Sequence, residues 1–132
     1  MLVVDASLVV DYLFDDGERG AWSAAQIASA GRLHAPHLLD FEVASAARKL
    51  VGRGDATPER ARTALRDLAD LAVQRYPAVR LLDRMWQLRE NLTPYDASYV
   101  ALAEALALPL ATTDRRLARV GGHRARVESF DG

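Results

Sequence analysis

The 132-residue sequence contains no cysteine. This excludes disulfide frameworks, thiolate zinc sites and cysteine nucleophiles outright, and it fits a reducing cytosol. Lysine is almost as scarce: Lys49 is the only one, and every other basic side chain except histidine is an arginine. No basic leader precedes the apolar N-terminus, and no uninterrupted apolar stretch approaches ~20 residues, so neither a signal peptide nor a membrane span is expected. Repeats, low-complexity tracts and linkers are also missing. The weak punctuation marks are turn-like strings, Asp15-Asp16-Gly17, Gly52-Arg53-Gly54-Asp55 and Gly121-Gly122. Charge has no dominant sign: 17 Lys and Arg stand against 18 Asp and Glu, a formal net charge of −1. The balance argues neither for nor against a nucleic-acid partner.

What is present is an ordinary globular balance, 50% hydrophobic and 27% charged. The length suits a single domain over 1–132, large enough to bury about 70% of its unfolded surface. Leu2 to Asp5 reads as a short buried strand. Ser7 to Phe14 and Ala21 to Ala30 have helical spacing, and Leu33 to Ala35, stopped by Pro36, reads as a second strand. In Leu38 to Val51 the stripe Leu39, Val43, Ala46, Ala47 and Leu50 predicts a helix. Thr57-Pro58-Glu59 opens another, running to about Val73. Tyr76 to Val79 is a weaker strand, interrupted by Pro77. Helices follow over Leu81 to Asn91 and from Thr93-Pro94 to about Leu108, then a strand over Pro109 to Thr112, a turn or two of helix over Arg115 to Val120, and a final strand over Arg126 to Ser129. Strands alternating with helices imply an α/β fold: a three-layer α/β/α arrangement around a short, mainly parallel sheet. In such sheets the ligand site lies beyond the carboxyl ends of the strands.

Carboxylates collect at that edge. Asp5 leaves the first strand and Asp114 leaves the "LATT" strand. Asp96 stands in the first turn of its helix, in line with Val100, Ala103 and Ala107. Glu42 lies near the start of the helix after Pro36, where it and Asp40 flank the apolar stripe equally, so periodicity does not choose between them. Taken singly, each has a structural reading: Asp5 and Asp114 as helix caps, Asp96 as a complement to a helix dipole, Glu42 as surface. Taken together, four acids at one edge repel one another, and a hard divalent cation resolves that repulsion without Cys or His. Two such ions about 3.5–4 Å apart clamp the attacking and leaving oxygens of a phosphodiester. Ser7, Thr112 and Thr113 supply hydroxyls, although for Thr112 the strand-end structural role is the preferred reading. The cluster Arg115, Arg116, Arg119, Arg124 and Arg126 is either a solvated face or a phosphate-holding patch.

Other acidic-edge chemistries fit poorly. A receiver-type phosphoacceptor needs a late lysine, a haloacid-dehalogenase-type phosphatase needs an acid where Ser7 stands, a dinucleotide binder needs glycines that "DASLVV" lacks, and no G-x-S-x-G elbow accompanies the histidines. The strings "VVDASLVVDYL", "HAPHLLDFEVASAARKL" and "TPYDASYVALAEALALPLATTDRRLA", with the total length, resemble the PIN-domain family, specifically the VapC-type toxin ribonucleases of bacterial toxin–antitoxin pairs. The resemblance covers essentially the whole chain. It implies a PIN fold, an endoribonuclease dependent on Mg²⁺ or Mn²⁺, a cytoplasmic bacterial setting, an RNA substrate, a cognate VapB-type antitoxin and a homodimer. It places the family's four acids, catalytic and metal-holding, on Asp5, Glu42, Asp96 and Asp114, so it selects Glu42 over Asp40. Its accessory hydroxyls fall on Ser7 and Thr113, and Arg115 and Arg116 remain candidates for RNA contact. Leu13, Phe14, Trp22, Met85 and Trp86 are large apolar groups available to a protein interface, each with an ordinary core reading beside it. The alternative from another class is a non-catalytic PIN-like module that binds RNA or antitoxin and keeps its acids for folding.

Overall fold

Leu2 and Val4 point to one side of the first strand and Val3 to the other, and both sides are buried. Apolar residues on both faces of a strand demand cover on both faces. The computed structural model, which describes residues 1–131, supplies it. The elements are β1 (Leu2–Val4), α1 (Ala6–Phe14), α2 (Glu18–Ala30), β2 (Leu33–Pro36), α3 (Leu38–Gly52), α4 (Pro58–Asp70) and β3 (Val73–Tyr76). A 3₁₀ turn at Ala78–Leu81 leads to α5 (Leu82–Gln87), α6 (Pro94–Leu106), β4 (Leu110–Thr112), α7 (Arg115–Arg119) and β5 (Val127–Ser129). The sheet order is β3-β2-β1-β4-β5, and every pairing is parallel.

Leu2, Val4 and Ala35 pack with Leu8 and Val9 of α1, Val43 of α3 and Leu68 of α4. Val3 and Leu110 pack on the opposite face with Val100 and Leu102 of α6 and Leu117 of α7. This is the α/β/α sandwich expected from the alternation of elements. The chain first grows from β1 toward β3, then returns to place β4 on the other side of β1. That reversal makes the carboxyl ends of β1 and β4 the switch point of the sheet, where a crevice opens.

Local chemistry moved several boundaries. α2 begins at Glu18 rather than Ala21, because the Asp15 carboxylate accepts the Gly20 N–H at 2.8 Å and orders the first turn. α4 stops at Asp70, and the third strand runs over Val73–Tyr76 rather than Tyr76 to Val79. Pairing with Leu33–Pro36 sets that register, and Arg75 fixes it by a bidentate bond to Asp40 at 2.7 and 2.9 Å. Pro77 then removes a donor and ends the strand. The helix expected over Leu81 to Asn91 is regular only to Gln87, and the following turns draw Leu88 and Leu92 into the core. α6 ends at Leu106 because Ala107 adopts a left-handed φ of 54° and closes the helix through its N–H. Its middle is buried all round, from Ala97 to Ala103, instead of along one ridge.

Gly20 has a second role. A Cβ there would lie 1.9 Å from the Asp15 carbonyl oxygen, so the α1–α2 corner closes only around glycine. Gly20→Ala is expected to destabilise the protein by about 2–3 kcal/mol, the scale of an overpacked site with little room to relax. Urea unfolding checks this, and an unchanged midpoint would mean that the corner is pliable.

Candidate active site

Asp5 follows β1 directly and caps α1. Its Oδ1 accepts the Leu8 N–H at 3.0 Å and the Ser7 hydroxyl at 2.8 Å, while Oδ2 accepts the Thr112 hydroxyl at 2.5 Å. Ser7 and Thr112 each have one hydroxyl proton and both spend it on Asp5, so their 3.1 Å approach to each other is a contact within the network. Their oxygens then act as acceptors: Ser7 takes the Thr113 N–H at 3.2 Å, and Thr112 takes the Asp114 N–H at 2.9 Å. The network stitches the end of β1 to the end of β4. Asp114 in turn caps α7 with Oδ1, which accepts from Arg116 N at 2.9 Å and Leu117 N at 3.4 Å. The capping reading of these two acids and their place at the sheet edge therefore hold together.

Glu42 is half-buried on α3. Its Oε1 accepts the Tyr99 hydroxyl at 2.6 Å, which ties α3 to α6. Asp40 points elsewhere, to Arg75, so the two acids that periodicity could not separate face different parts of the molecule. Asp96 sits in the first turn of α6, whose N-cap Thr93 accepts the Asp96 N–H. One guanidinium joins the remaining pair: Arg116 Nη2 lies 2.8 Å from Asp96 Oδ2 and 3.1 Å from Asp114 Oδ2. Above Asp5 opens a cleft of about 580 Å³, lined among others by Ser7, Asp11, Arg19, Glu42, Asp114 and Arg116.

The electrostatics follow from this packing. Burial raises the Asp5 carboxyl from its ordinary 3.8 to about 6, with the Thr112, Leu8 and Ser7 bonds opposing the shift and the Asp114 charge adding to it. Burial also raises Glu42, against the Tyr99 bond and with the charge of Asp96. Desolvation, then the Glu42 carboxylate, push the Tyr99 phenol far above its usual range, so it stays protonated and donates to Glu42. Among the described residues no three acidic or histidine side chains are already gathered tightly enough to hold an ion. The guanidinium of Arg116 instead stands as a cation shared by two carboxylates. The four carboxylates offer oxygen-only donors of the kind a hard divalent ion prefers, with Arg116 occupying two of them.

Three residues of this site have roles that the sequence reading did not assign. Thr112, read as structural, is a second hydroxyl on Asp5 beside Ser7, whereas Thr113 enters through its backbone N–H. Tyr99 holds Glu42; its only signal was its place three residues after Asp96, on the same helix face. Arg19 lines the cleft from the first turn of α2, where a cation opposes the helix dipole, and that misfit was the available clue. Arg115, beside the bridging Arg116, also borders the cleft. Of the large apolar candidates for an interface, Leu13 is buried and Phe14, Trp22 and Met85 pack against the two cores, which leaves Trp86 exposed.

Asp5 also carries a stability cost. The unfolded chain releases this proton near pH 3.8 and the folded chain near 6, so its favourable contribution is complete below 3.8 and lost as pH rises through 6. At pH 7 the ionised group costs about 3 kcal/mol, by the conversion of one pKa unit to ~1.4 kcal/mol. Asp5→Asn keeps an N-cap residue and removes the charge. In EDTA it is expected to unfold at higher urea than the wild type at pH 7, with the gap closing toward pH 4. Equal midpoints at pH 7 would show that the carboxylate is solvated or paired.

A PIN domain family model matches residues 2–123. Ribonuclease VapC9 of Mycobacterium tuberculosis is 49% identical over 121 residues, covering 92% of this chain and 91% of that protein. Ribonuclease VapC1 of the same organism is 48% identical over 126 residues, covering 91% and 90%. The crystal structure of PAE2754 from Pyrobaculum aerophilum superposes with a TM-score of 0.73 at 25% identity, covering 96% of this chain and 81% of that one. DNA-bound VapBC from Salmonella typhimurium shares the fold, with a TM-score of 0.69 at 18% identity and coverage of 97% and 96%. With its parallel sheet reversing at β1 and β4 and acids ranged around that point, the chain belongs to the PIN-domain family, in the group of the VapC ribonucleases.

Proposed function

We propose that this chain is an endoribonuclease dependent on Mg²⁺ or Mn²⁺, and the toxin of a VapBC-type toxin–antitoxin pair. The observation that carries the reading is the Asp5 carboxylate, buried at the switch point with three neutral donors and, among the described residues, no ion-pair partner, beside a cleft that Glu42 and Asp114 line. Asp5, Glu42, Asp96 and Asp114 are the residues that would hold the metal. A bound divalent ion supplies a Lewis acid that lowers the pKa of water and polarises the phosphodiester.

The protein groups do the rest. Ser7 and Thr112 fix both oxygens of Asp5, and Thr113 fixes Ser7. Tyr99 orients Glu42. Arg116 and Arg115 contact phosphates of the RNA as it lies over the cleft. Water attacks phosphorus in line and gives up a proton to solvent as the bond to the 3′ oxygen breaks; the leaving 3′ oxygen takes up a proton, and the products carry 5′-phosphate and 3′-hydroxyl ends. Cyclic phosphates would instead mean attack by the RNA's own 2′ hydroxyl. The partners in this reading are a VapB-type antitoxin and a second copy of the chain. Exposed Leu82 and Trp86, which border a groove of about 590 Å³, support a protein contact on that side. No helix among the described residues is long and apolar enough to cross a membrane.

One observation favours the rival module that binds without cleaving: Arg116 already balances Asp96 and Asp114 without a metal. Divalent ion separates the two readings. Purified protein with total RNA in Mg²⁺ or Mn²⁺ is expected to give discrete fragments, lost with EDTA and in Asp96→Asn. Cleavage that survives EDTA, or that persists in the variant, sinks the metallonuclease reading. The bridge itself predicts competition. Arg116→Ala is expected to tighten Mn²⁺ binding about two- to fivefold, in keeping with the ~0.5–1 kcal/mol of an exposed ion pair. Calorimetric titration checks it, and weaker binding would place Arg116 on the side of the ion.

A further inference from the structure

The acid cleft does not end at Glu42. A second, smaller cleft of about 270 Å³ runs on between α1 and the outer face of α3, and the two share Val10, Glu42 and Ala46. The two clefts therefore adjoin along α3, and together they are called the trough. At its far end stand Lys49, the chain's only lysine, and Arg53.

We propose that Lys49 and Arg53 form a phosphate subsite for the single-stranded RNA that leaves the acid cleft. The proposal rests on the endoribonuclease reading above and adds to it the path of the substrate. The helix geometry is the first support. Glu42, Ala46, Lys49 and Arg53 are spaced by four, three and four residues, which places them on one stripe of α3. The rotation that turns Glu42 toward the acids therefore turns the two cations into the same trough. At 1.5 Å per residue they lie roughly 10 and 16 Å along the axis from Glu42, a reach of one to three nucleotides.

Charge is the second support. Both side chains are exposed, and among the described residues neither has an ion-pair partner. Lys49 in the last turn of α3 also complements the helix dipole. That role needs no neighbouring Arg53 and no groove connecting the pair to the acids. Within the acid cleft itself Arg19 and Arg116 stand beside the carboxylates. Lys49 and Arg53 thus add positive charge where a polyanion would leave the acids that repel it.

The test is salt-dependent binding of a fluorescent single-stranded RNA of about 12 nucleotides, long enough to fill a trough of this kind. Asp96→Asn protein serves as the reference, so that the probe survives. The comparison protein adds Lys49→Gln and Arg53→Gln, both good helix formers. Affinity is read from about 50 to 300 mM salt, where each phosphate contact on a single strand contributes a slope of about −0.7. The substitutions are expected to lower the slope by about 1.4 and to weaken binding about five- to tenfold at the low-salt end, with an unchanged urea midpoint. A second protein carrying Lys49→Arg instead is expected to keep the reference slope. Coincident slopes overturn the subsite, and so does an equal loss with Lys49→Arg, which would indicate a packing effect rather than charge. Wild-type cleavage of total RNA with coincident slopes removes the subsite alone; absence of both cleavage and RNA binding removes the subsite together with the reading beneath it.

Discussion

Burial of a carboxylate between two parallel strands is the constraint on which the site depends. Asp5 can be buried only because Leu8 N–H, Ser7 and Thr112 satisfy its oxygens, and Thr112 can reach it only because β4 pairs beside β1. The sheet reversal that brings β4 there is therefore a condition for the acid, and the acid fastens the reversal in return. Each hydroxyl that donates to Asp5 accepts a backbone N–H from the turn after β4, at Thr113 or Asp114. Removing any member would leave a buried polar group unpaired, which costs more than the bond itself contributes.

The arrangement sets stability against function. Desolvation opposes ionisation at Asp5 and Glu42, so keeping both acids ionised there carries an electrostatic cost. Asp96 and Asp114 have found a cation within the chain. In the proposed metal site the two halves of the cluster would therefore stand differently toward a divalent ion: one would gain a counter-charge, and the other would exchange an existing one. Arg116 is mostly solvent-exposed, so its pairs are screened and would be exchanged at little cost. Glu104, which holds Arg84 on the far side of α6, is by contrast a nearly buried partner, and it anchors α5 against α6.

Much of the fold was legible because the relevant signals are local. The apolar run Leu2 to Val4, the stripe of α3, and the Thr-Pro openings of α4 and α6 each specify an element from neighbouring residues. The misplacements share one cause, which is that the deciding partner is remote or unusual. β3 begins at Val73 because β2 pairs with it there. α2 starts at Glu18 because Asp15 reaches back to Gly20. α6 stops where an alanine, rather than a glycine, turns left-handed. The acids were legible as a set, since strand-end and first-turn positions are visible in sequence. Their supports were less so: Thr112 and Tyr99 bond to residues 107 and 57 positions away.

The sequence by itself determined the layered α/β plan, the absence of thiol chemistry, and the delivery of Asp5 and Asp114 to strand ends. Those follow from periodicity, composition and helix-start chemistry, which act over a few residues. Only the tertiary structure decided which hydroxyl serves Asp5, that Glu42 rather than Asp40 meets α6, that Arg116 bridges two acids, and that the α3 stripe carries Lys49 and Arg53 along the trough. Each of these depends on which element packs beside which. A neutral hydroxyl, a carboxylate or a guanidinium has no preference for a partner until packing brings that partner within ~3 Å and takes the water away.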